Sequence, residues 1–219
     1  MTAKNLITQS IVPLQTSDTG TEALQMMQVY HVRHLPIVNH EQLLGVLSED
    51  DLLIHNTEDP IGTYRLTHVR PFCFENEHIF EIMTKLGRFQ LTLIPVINAD
   101  EVYLGVITME DVLHYFAQQF SFSDTGSILV LESNKLNYSL SEIARIAESE
   151  DVTILSSFIS HNPDDPTTYI TLRLNRQDIT FLKSTYERFG YTVFGSYSDE
   201  DFRDNLKERY DAFMSYLSI

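Results

Sequence analysis

Two short stretches hold the side chains whose types and spacing suit chemistry. Gly45-Val46-Leu47-Ser48-Glu49-Asp50-Asp51-Leu52-Leu53 recurs sixty positions later as Gly105-Val106-Ile107-Thr108-Met109-Glu110-Asp111-Val112-Leu113. In both, an apolar strand ending meets a hydroxyl residue, an Asp follows three residues on, and a new apolar run begins. Ser48 with Asp51, and Thr108 with Asp111, therefore read as capping boxes in which a hydroxyl takes a helix N–H and a carboxylate answers. The same atoms suit a ligand: unpaired N–H groups and the positive helix end beside a short carboxylate can hold a ribose with a phosphate nearby.

The elements that position these groups follow from periodicity. Ile11-Val12-Pro13-Leu14 reads as a short strand, Ser17-Asp18 as the cap of a helix carrying Ala23, Leu24, Met27 and Tyr30, and Leu35 to Val38 as a second strand. Asn39 to Gln42 is a turn, Leu43 to Leu47 the return strand, and Ser48 opens a helix that Asn56 to Pro60 ends. From Val69 the plan begins again. Pro13 aligns with Pro71, Met27 with Leu86, Tyr30 with Phe89, Pro36 with Pro95 and Gly45 with Gly105, the offset creeping from 58 to 60 as loop insertions would produce. A unit of about 60 residues buries little core alone, so the two copies are expected to pack through their sheets.

The paired pattern L-P-I-V-N, turn, L-G-V-L-S-E-D-D-L-L and I-P-V-I-N, turn, L-G-V-I-T-M-E-D-V-L closely resembles tandem cystathionine-beta-synthase (CBS) domains, over about Ile7 to Phe120. The resemblance implies an adenine nucleotide (AMP, ADP, ATP or S-adenosylmethionine) as regulatory ligand, with Asp51 and Asp111 on ribose hydroxyls and Ser48 and Thr108 assisting. It brings in Pro36 and Pro95 of the two L-P and I-P strands. It also implies phosphate contacts from Arg33 and His34, just before the first L-P strand, where the second repeat has Thr92-Leu93; the two pockets are thus expected to differ. Arg70 is a further phosphate candidate, set against the plain reading of a solvated surface charge.

After a connector at Phe120 to Thr125 the periodicity changes. Gly126 to Leu131 reads as a strand, Ser139 and Glu142 as a capping box before Leu140, Ile143, Ile146 and Ala147, Val152 to Ile159 as a strand, His161 to Pro166 as a turn and Tyr169 to Leu174 as its return. A helix from Asp178 to Gly190 and a strand at Tyr191 to Phe194 complete βαββαβ, a ferredoxin-like order. Placed after a CBS pair, this resembles an ACT domain, as in acetoin-utilisation-type CBS proteins. Tyr138 stands where amino-acid-binding ACT domains often carry glycine, which implies association rather than amino-acid binding. From Asp199, Phe202, Leu206, Tyr210, Phe213 and Leu217 fall on one helical stripe.

The expected fold class is α/β and α+β: a CBS pair of duplicated β-α-β-β-α units at 1–62 and 63–122, an ACT-like domain at 126–198 and a C-terminal amphipathic helix at 199–219. Composition bounds the function. A formal charge of −16, from 31 acidic and 15 basic residues, disfavours a nucleic-acid partner, and there is no polybasic segment for a membrane. No apolar run approaches a membrane span or secretory signal, and a single cysteine, Cys73, fits a reducing compartment, so a cytoplasmic protein is expected. Without a secretory route, the glycosylation match at Asn137-Tyr138-Ser139 carries no weight. His31 and His34 have no third metal ligand near in sequence, Glu49 and Asp50 are explained by the helix dipole, and no nucleotide-loop or nucleophile motif occurs. The expectation is a non-catalytic sensor, with a homodimer and an unknown protein partner as its means of relay. The alternative is an adaptor whose caps are only caps.

Overall fold

The computed structural model describes residues 1–66, 70–119, 125–134, 138–161 and 167–198. The chain forms two compact units, Met1–Tyr115 and Phe116–Ile219.

In the first unit, α1 (Gly20–Tyr30), β1 (His34–Asn39), β2 (Gln42–Ser48) and α2 (Glu49–Ile54) are answered by β3 (Cys73–Phe74), α3 (Ile79–Phe89), β4 (Leu93–Ile97), β5 (Tyr103–Thr108) and α4 (Met109–Gln119). The cap of α1 lies one residue beyond the expected Ser17-Asp18 pair. Thr19 accepts from Glu22 N–H while Glu22 Oε2 takes Thr19 N–H at 2.8 Å. Asp18 instead accepts from Gln15 N–H at 2.8 Å and shapes the preceding turn. The first helix of each repeat, α1 and α3, stops on a left-handed residue, His31 (φ 54°) and Gln90 (φ 53°), 59 positions apart.

The first strand of each repeat is short because only one or two residues reach the hairpin. Leu14 bridges Ile37 in parallel, where Ile11 to Leu14 had been expected to form a strand, and Cys73 and Phe74 pair with Val96 and Ile97. These pairings place Leu14 opposite Cys73 in the duplication, so the offset is already 59 here and Pro13 does not align with Pro71. The shift to 60 occurs in the hairpin turns. His40 and Glu41, both at positive φ, make a two-residue turn, whereas Asn98 Oδ1 gathers the N–H groups of Asp100 and Val102 around a longer one. Gln42 bridges Val102, its own counterpart, which puts the internal two-fold relation at that point.

The extreme N-terminus, though part of the first repeat's sequence, hydrogen-bonds to the second. Thr8 and Val106 exchange both backbone hydrogen bonds, and Ala3 and Lys4 donate to the carbonyls of Glu77 and Glu75. A Cβ on Gly105 (φ +145°) would lie 2.6 Å from the Thr8 carbonyl oxygen, which is why this position of β5 takes glycine. The connector mirrors this exchange: Pro60 bridges Thr19 as His78 bridges Thr2. One apolar core joins the repeats, with Leu14, Met27, Leu35, Ile37, Leu47 and Leu52 packed with Leu93 and Val106.

The second unit contains β6 (Ser127–Asn134), α5 (Leu140–Ser149), β7 (Ile154–His161), β8 (Thr167–Leu174), α6 (Thr180–Arg188) and β9 (Thr192–Ser198). The sheet order is β7-β8-β6-β9 with every neighbouring pair antiparallel, the ferredoxin-like arrangement of an ACT-like fold. Leu129, Leu131, Ile170, Leu172 and Leu174 face Ile143, Ile146, Leu182 and Tyr186 of the helices, and Tyr138 packs against this core. Ser139 caps α5, but the reciprocal half of the expected box is absent because the Glu142 carboxylate accepts from the Tyr191 hydroxyl at 2.8 Å. Most of the expected 161–166 turn, most of the 120–125 connector and the 199–219 segment lie outside the described residues. Among the described residues, no helix is long and apolar enough to cross a membrane.

Candidate functional site

Both duplicated junctions fold as strand, cap and helix. Ser48 Oγ accepts from Asp51 N–H at 3.1 Å, while Asp51 Oδ2 takes the Ser48 N–H at 2.9 Å and its hydroxyl at 2.7 Å. Thr108 and Asp111 repeat this, with 3.0 Å for each backbone bond and 2.6 Å between hydroxyl and Oδ2. Burial separates the copies. Ser48 and Asp51 are 3% and 0% exposed, whereas Thr108 and Asp111 are half-buried. Among the described residues no bond reaches Asp111 Oδ1.

The residues before each hairpin join these two helix starts. Glu49 N–H donates to the Arg33 carbonyl at 2.9 Å, Arg33 N–H donates to Thr92 Oγ1 at 3.0 Å, and Met109 N–H donates to the Thr92 carbonyl at 2.9 Å. Hydrogen bonds thus run from the first residue of α2, through the seam between repeats, to the first residue of α4. His34, 7% exposed, lies in the same seam, and its Nδ1 accepts from Thr92 N–H at 3.2 Å. A backbone N–H only donates, so Nε2 carries the ring proton. Thr92 was noted in the sequence only as a departure from Arg33; its bonding to both Arg33 and His34 depends on the pairing of the repeats.

The Arg33 side chain is exposed, with Nε 2.9 Å from Glu49 and Nη2 3.7 Å from Asp50. Surface pairs of this kind contribute about 0–1 kcal/mol, so the guanidinium can exchange them for another anion at little cost. Arg70 lies 3.1 Å from Glu101 and over the Phe72 ring, with no bond to the seam among the described residues. Pro36 and Pro95 are buried in β1 and β4 opposite Val46 and Val106, and the Pro36 carbonyl accepts from Leu14 N–H at 2.8 Å. His55, not singled out in the sequence, closes the other end of α2. Arg65 N–H donates to its Nε2 at 3.1 Å, so its Nδ1–H donates to the Asp51 carbonyl at 2.8 Å, and its ring stacks on Tyr64 with centroids 4.4 Å apart. A histidine just before the Asn56–Pro60 stop was the available signal.

Cys73 is fully buried. Burial first, and the charge of Glu77 second, push its thiol up to about 12 against partial relief from Lys85.

A duplicated unit with one shared core and two capped helix starts linked through a seam is a tandem-module architecture. The CBS domain family model matches residues 3–57 and again 64–118, and the chain belongs to that family. Among solved structures, the chain is similar to a CBS domain pair/ACT domain protein from Thermotoga maritima, with 20% identity, TM-score 0.49, and coverage of 54% of this chain and 98% of that one. It is similar to a protein assigned to acetoin utilization (AcuB) from Vibrio cholerae, with 21% identity, TM-score 0.48, and coverage of 56% and 95%. The cytosolic domain of the Mg2+ channel MgtE, solved with ATP, matches at 21% identity and TM-score 0.44 over 52% of this chain and 48% of that one.

Proposed function

We propose that this chain is a non-catalytic regulatory protein whose CBS pair binds an adenine nucleotide at the seam between repeats. AMP, ADP, ATP and S-adenosylmethionine are the candidates. The observation that carries this reading is the linkage of the two acid-bearing helix starts through Arg33, His34 and Thr92, in a chain of the CBS family. On this reading Asp111 and Asp51 receive ribose hydroxyls, Thr108 and Ser48 hold those carboxylates in place, and Arg33 gives up its surface acids for phosphate. The half-buried Asp111 site is the stronger and the enclosed Asp51 site the weaker. Arg70, held by Glu101, serves at most as an outer phosphate contact, and Pro36 and Pro95 fix the path of the strands that lead into the seam.

We take repeat 1 as 1–62, repeat 2 as 63–122, the ACT-like domain as 126–198 and the tail as 199–219. The ACT-like domain mediates association, with Tyr138 in the core rather than at an amino-acid site, and the protein acts in the cytoplasm as a homodimer or with a protein partner. A second reading, an adaptor with no nucleotide, is favoured by one observation: each Asp oxygen that takes its cap's N–H also takes the cap hydroxyl, so capping alone accounts for that bonding.

A melting screen over the four nucleotides separates the readings. A ligand at a hundred times its Kd stabilises by about 2.7 kcal/mol, a rise of several degrees for a chain of this size. Loss of that rise in Asp111→Ala supports the sensor. The absence of any shift at millimolar nucleotide supports the adaptor.

A further inference from the structure

Residues paired across an antiparallel sheet point to the same side, and successive residues along a strand alternate. Leu129, Leu131, Ile170 and Leu172 of the ACT-like sheet pack with its helices, so the residues between them face away. The register gathers those outward residues into rows. Ser156, Arg173 and Ile128 form one row across β7, β8 and β6, and Phe158, Thr171 and Val130 form the next. An outward face of this kind is usually polar. Here a cavity of about 420 Å3 opens on it instead, lined by Ile128, Phe158, Thr171 and Arg173. Phe158 is 39% exposed, so part of its ring is open to an incoming group.

The lining has the chemistry of a small-molecule site: apolar walls, few fixed polar groups, and a volume within the usual range of about 300–1,000 Å3. Ile128 offers a branched chain, Phe158 a ring, and Thr171 a methyl beside its hydroxyl. Arg173 supplies a permanent positive charge on a planar fork that matches a carboxylate, and its five N–H donors can serve an anion in addition to neighbours they already hold. Directly opposite Arg173, Ser156 has a buried Oγ with no hydrogen-bond partner among the described residues. A buried hydroxyl left unmet is a cost that an oxygen-bearing ligand would remove. None of the four lining residues is an acid. An ammonium group therefore finds no partner in this lining, and a carboxylate without an amine fits it better than an amino acid does.

We propose that this cavity binds a small apolar monocarboxylate, an aromatic or branched-chain acid that carries no amino group. Its carboxylate accepts from the Arg173 guanidinium and the Ser156 hydroxyl, and its apolar body rests on Ile128, Phe158 and Thr171. The site lies on the face of the sheet turned away from α5, α6 and Tyr138. The seam of the CBS pair plays no part in it, so the acid binds whether or not a nucleotide does.

The test is fluorine NMR on the full chain with two probes of one shape and opposite charge, para-fluorophenylacetate and para-fluorophenethylamine. The carboxylate should show saturable line broadening at millimolar concentration and the amine should not. Two variants place the site. Arg173→Gln removes the charge, and Thr171→Phe fills the cavity with a residue that strands favour while leaving Arg173 in place. Each should weaken the carboxylate at least about tenfold, as loss of a charged hydrogen bond or of the space itself requires. Adding AMP should leave the bound fraction unchanged. No broadening by the carboxylate, equal broadening by the amine, unchanged affinity in either variant, or displacement by AMP would each overturn the proposal. The comparison of the two probes needs only the parent chain, so it decides the matter even where a variant fails to fold.

Discussion

The two repeats carry the same junction and use it in different surroundings. In the first, Ser48 and Asp51 are sealed in, with Arg33 and His34 ahead of the hairpin. In the second, Thr108 and Asp111 are half-buried, and Thr92 and Leu93 stand in the corresponding places. The difference is complementary: Thr92 of the second repeat is the partner of both Arg33 and His34 of the first. The difference joins the copies at Thr92, and one carboxylate is enclosed while the other is half-exposed.

The largest effect expected from breaking this asymmetry is on stability. Asp51→Ala strands the buried Ser48 N–H and hydroxyl and should cost on the order of 2–3 kcal/mol. Asp111→Ala, at a half-exposed cap, should cost about 1 kcal/mol. Denaturant midpoints of the two variants measure the gap, and equal losses would erase the distinction between the caps. Next comes the seam itself. Thr92→Val removes the acceptor of Arg33 N–H and should cost about 1–1.5 kcal/mol. In a double-mutant cycle with His34→Ala the two losses should fall short of adding, because Thr92 Oγ1 also lies 3.0 Å from His34 Nδ1 and each substitution removes that contact.

A third difference lies at the counterparts Leu14 and Cys73, where only the second repeat carries a titrating group. The thiol's folded value is raised to about 12 from an ordinary 9. Between those values the unfolded chain loses the proton and the folded chain keeps it, so this contribution to stability is complete below pH 9 and falls away as pH rises toward 12. Cys73→Val should flatten that alkaline decline, read by melting at pH 8 and 10. Iodoacetamide at pH 8 should leave the native thiol unmodified and react on unfolding. The smallest structural effect is expected at Arg33. Arg33→Ala should change stability by less than about 0.5 kcal/mol. If the seam holds a phosphate, the variant should lose its preference for AMP over adenosine, as read by titration calorimetry.

Much of this was legible in the residues. The period-60 repeat, the Ser48 and Thr108 caps, the hairpins and the βαββαβ order each rest on local rules: hydroxyl-to-acid spacing, turn residues, and a change from helical to alternating periodicity. The misplacements were also local. Thr19 took the cap expected at Ser17-Asp18 because Asp18 was committed to the turn behind it, and Glu142 left its box for Tyr191, 49 residues away. The crossing of the N-terminus onto the second repeat had no local signature, since Thr8 pairs with Val106 through backbone groups that any residue carries.

By itself, then, the order of amino acids determined which segments become helix and strand, that the unit is written twice, and where a carboxylate caps each helix start. These depend on neighbours within a few positions along the chain. Tertiary structure alone decided that Arg33 and His34 meet Thr92, that Asp51 is enclosed while Asp111 is not, and that Gly105 makes room for Thr8. Burial and long-range pairing depend on which surfaces are left to meet once every local element has formed, and that is a property of the whole core rather than of any one stretch.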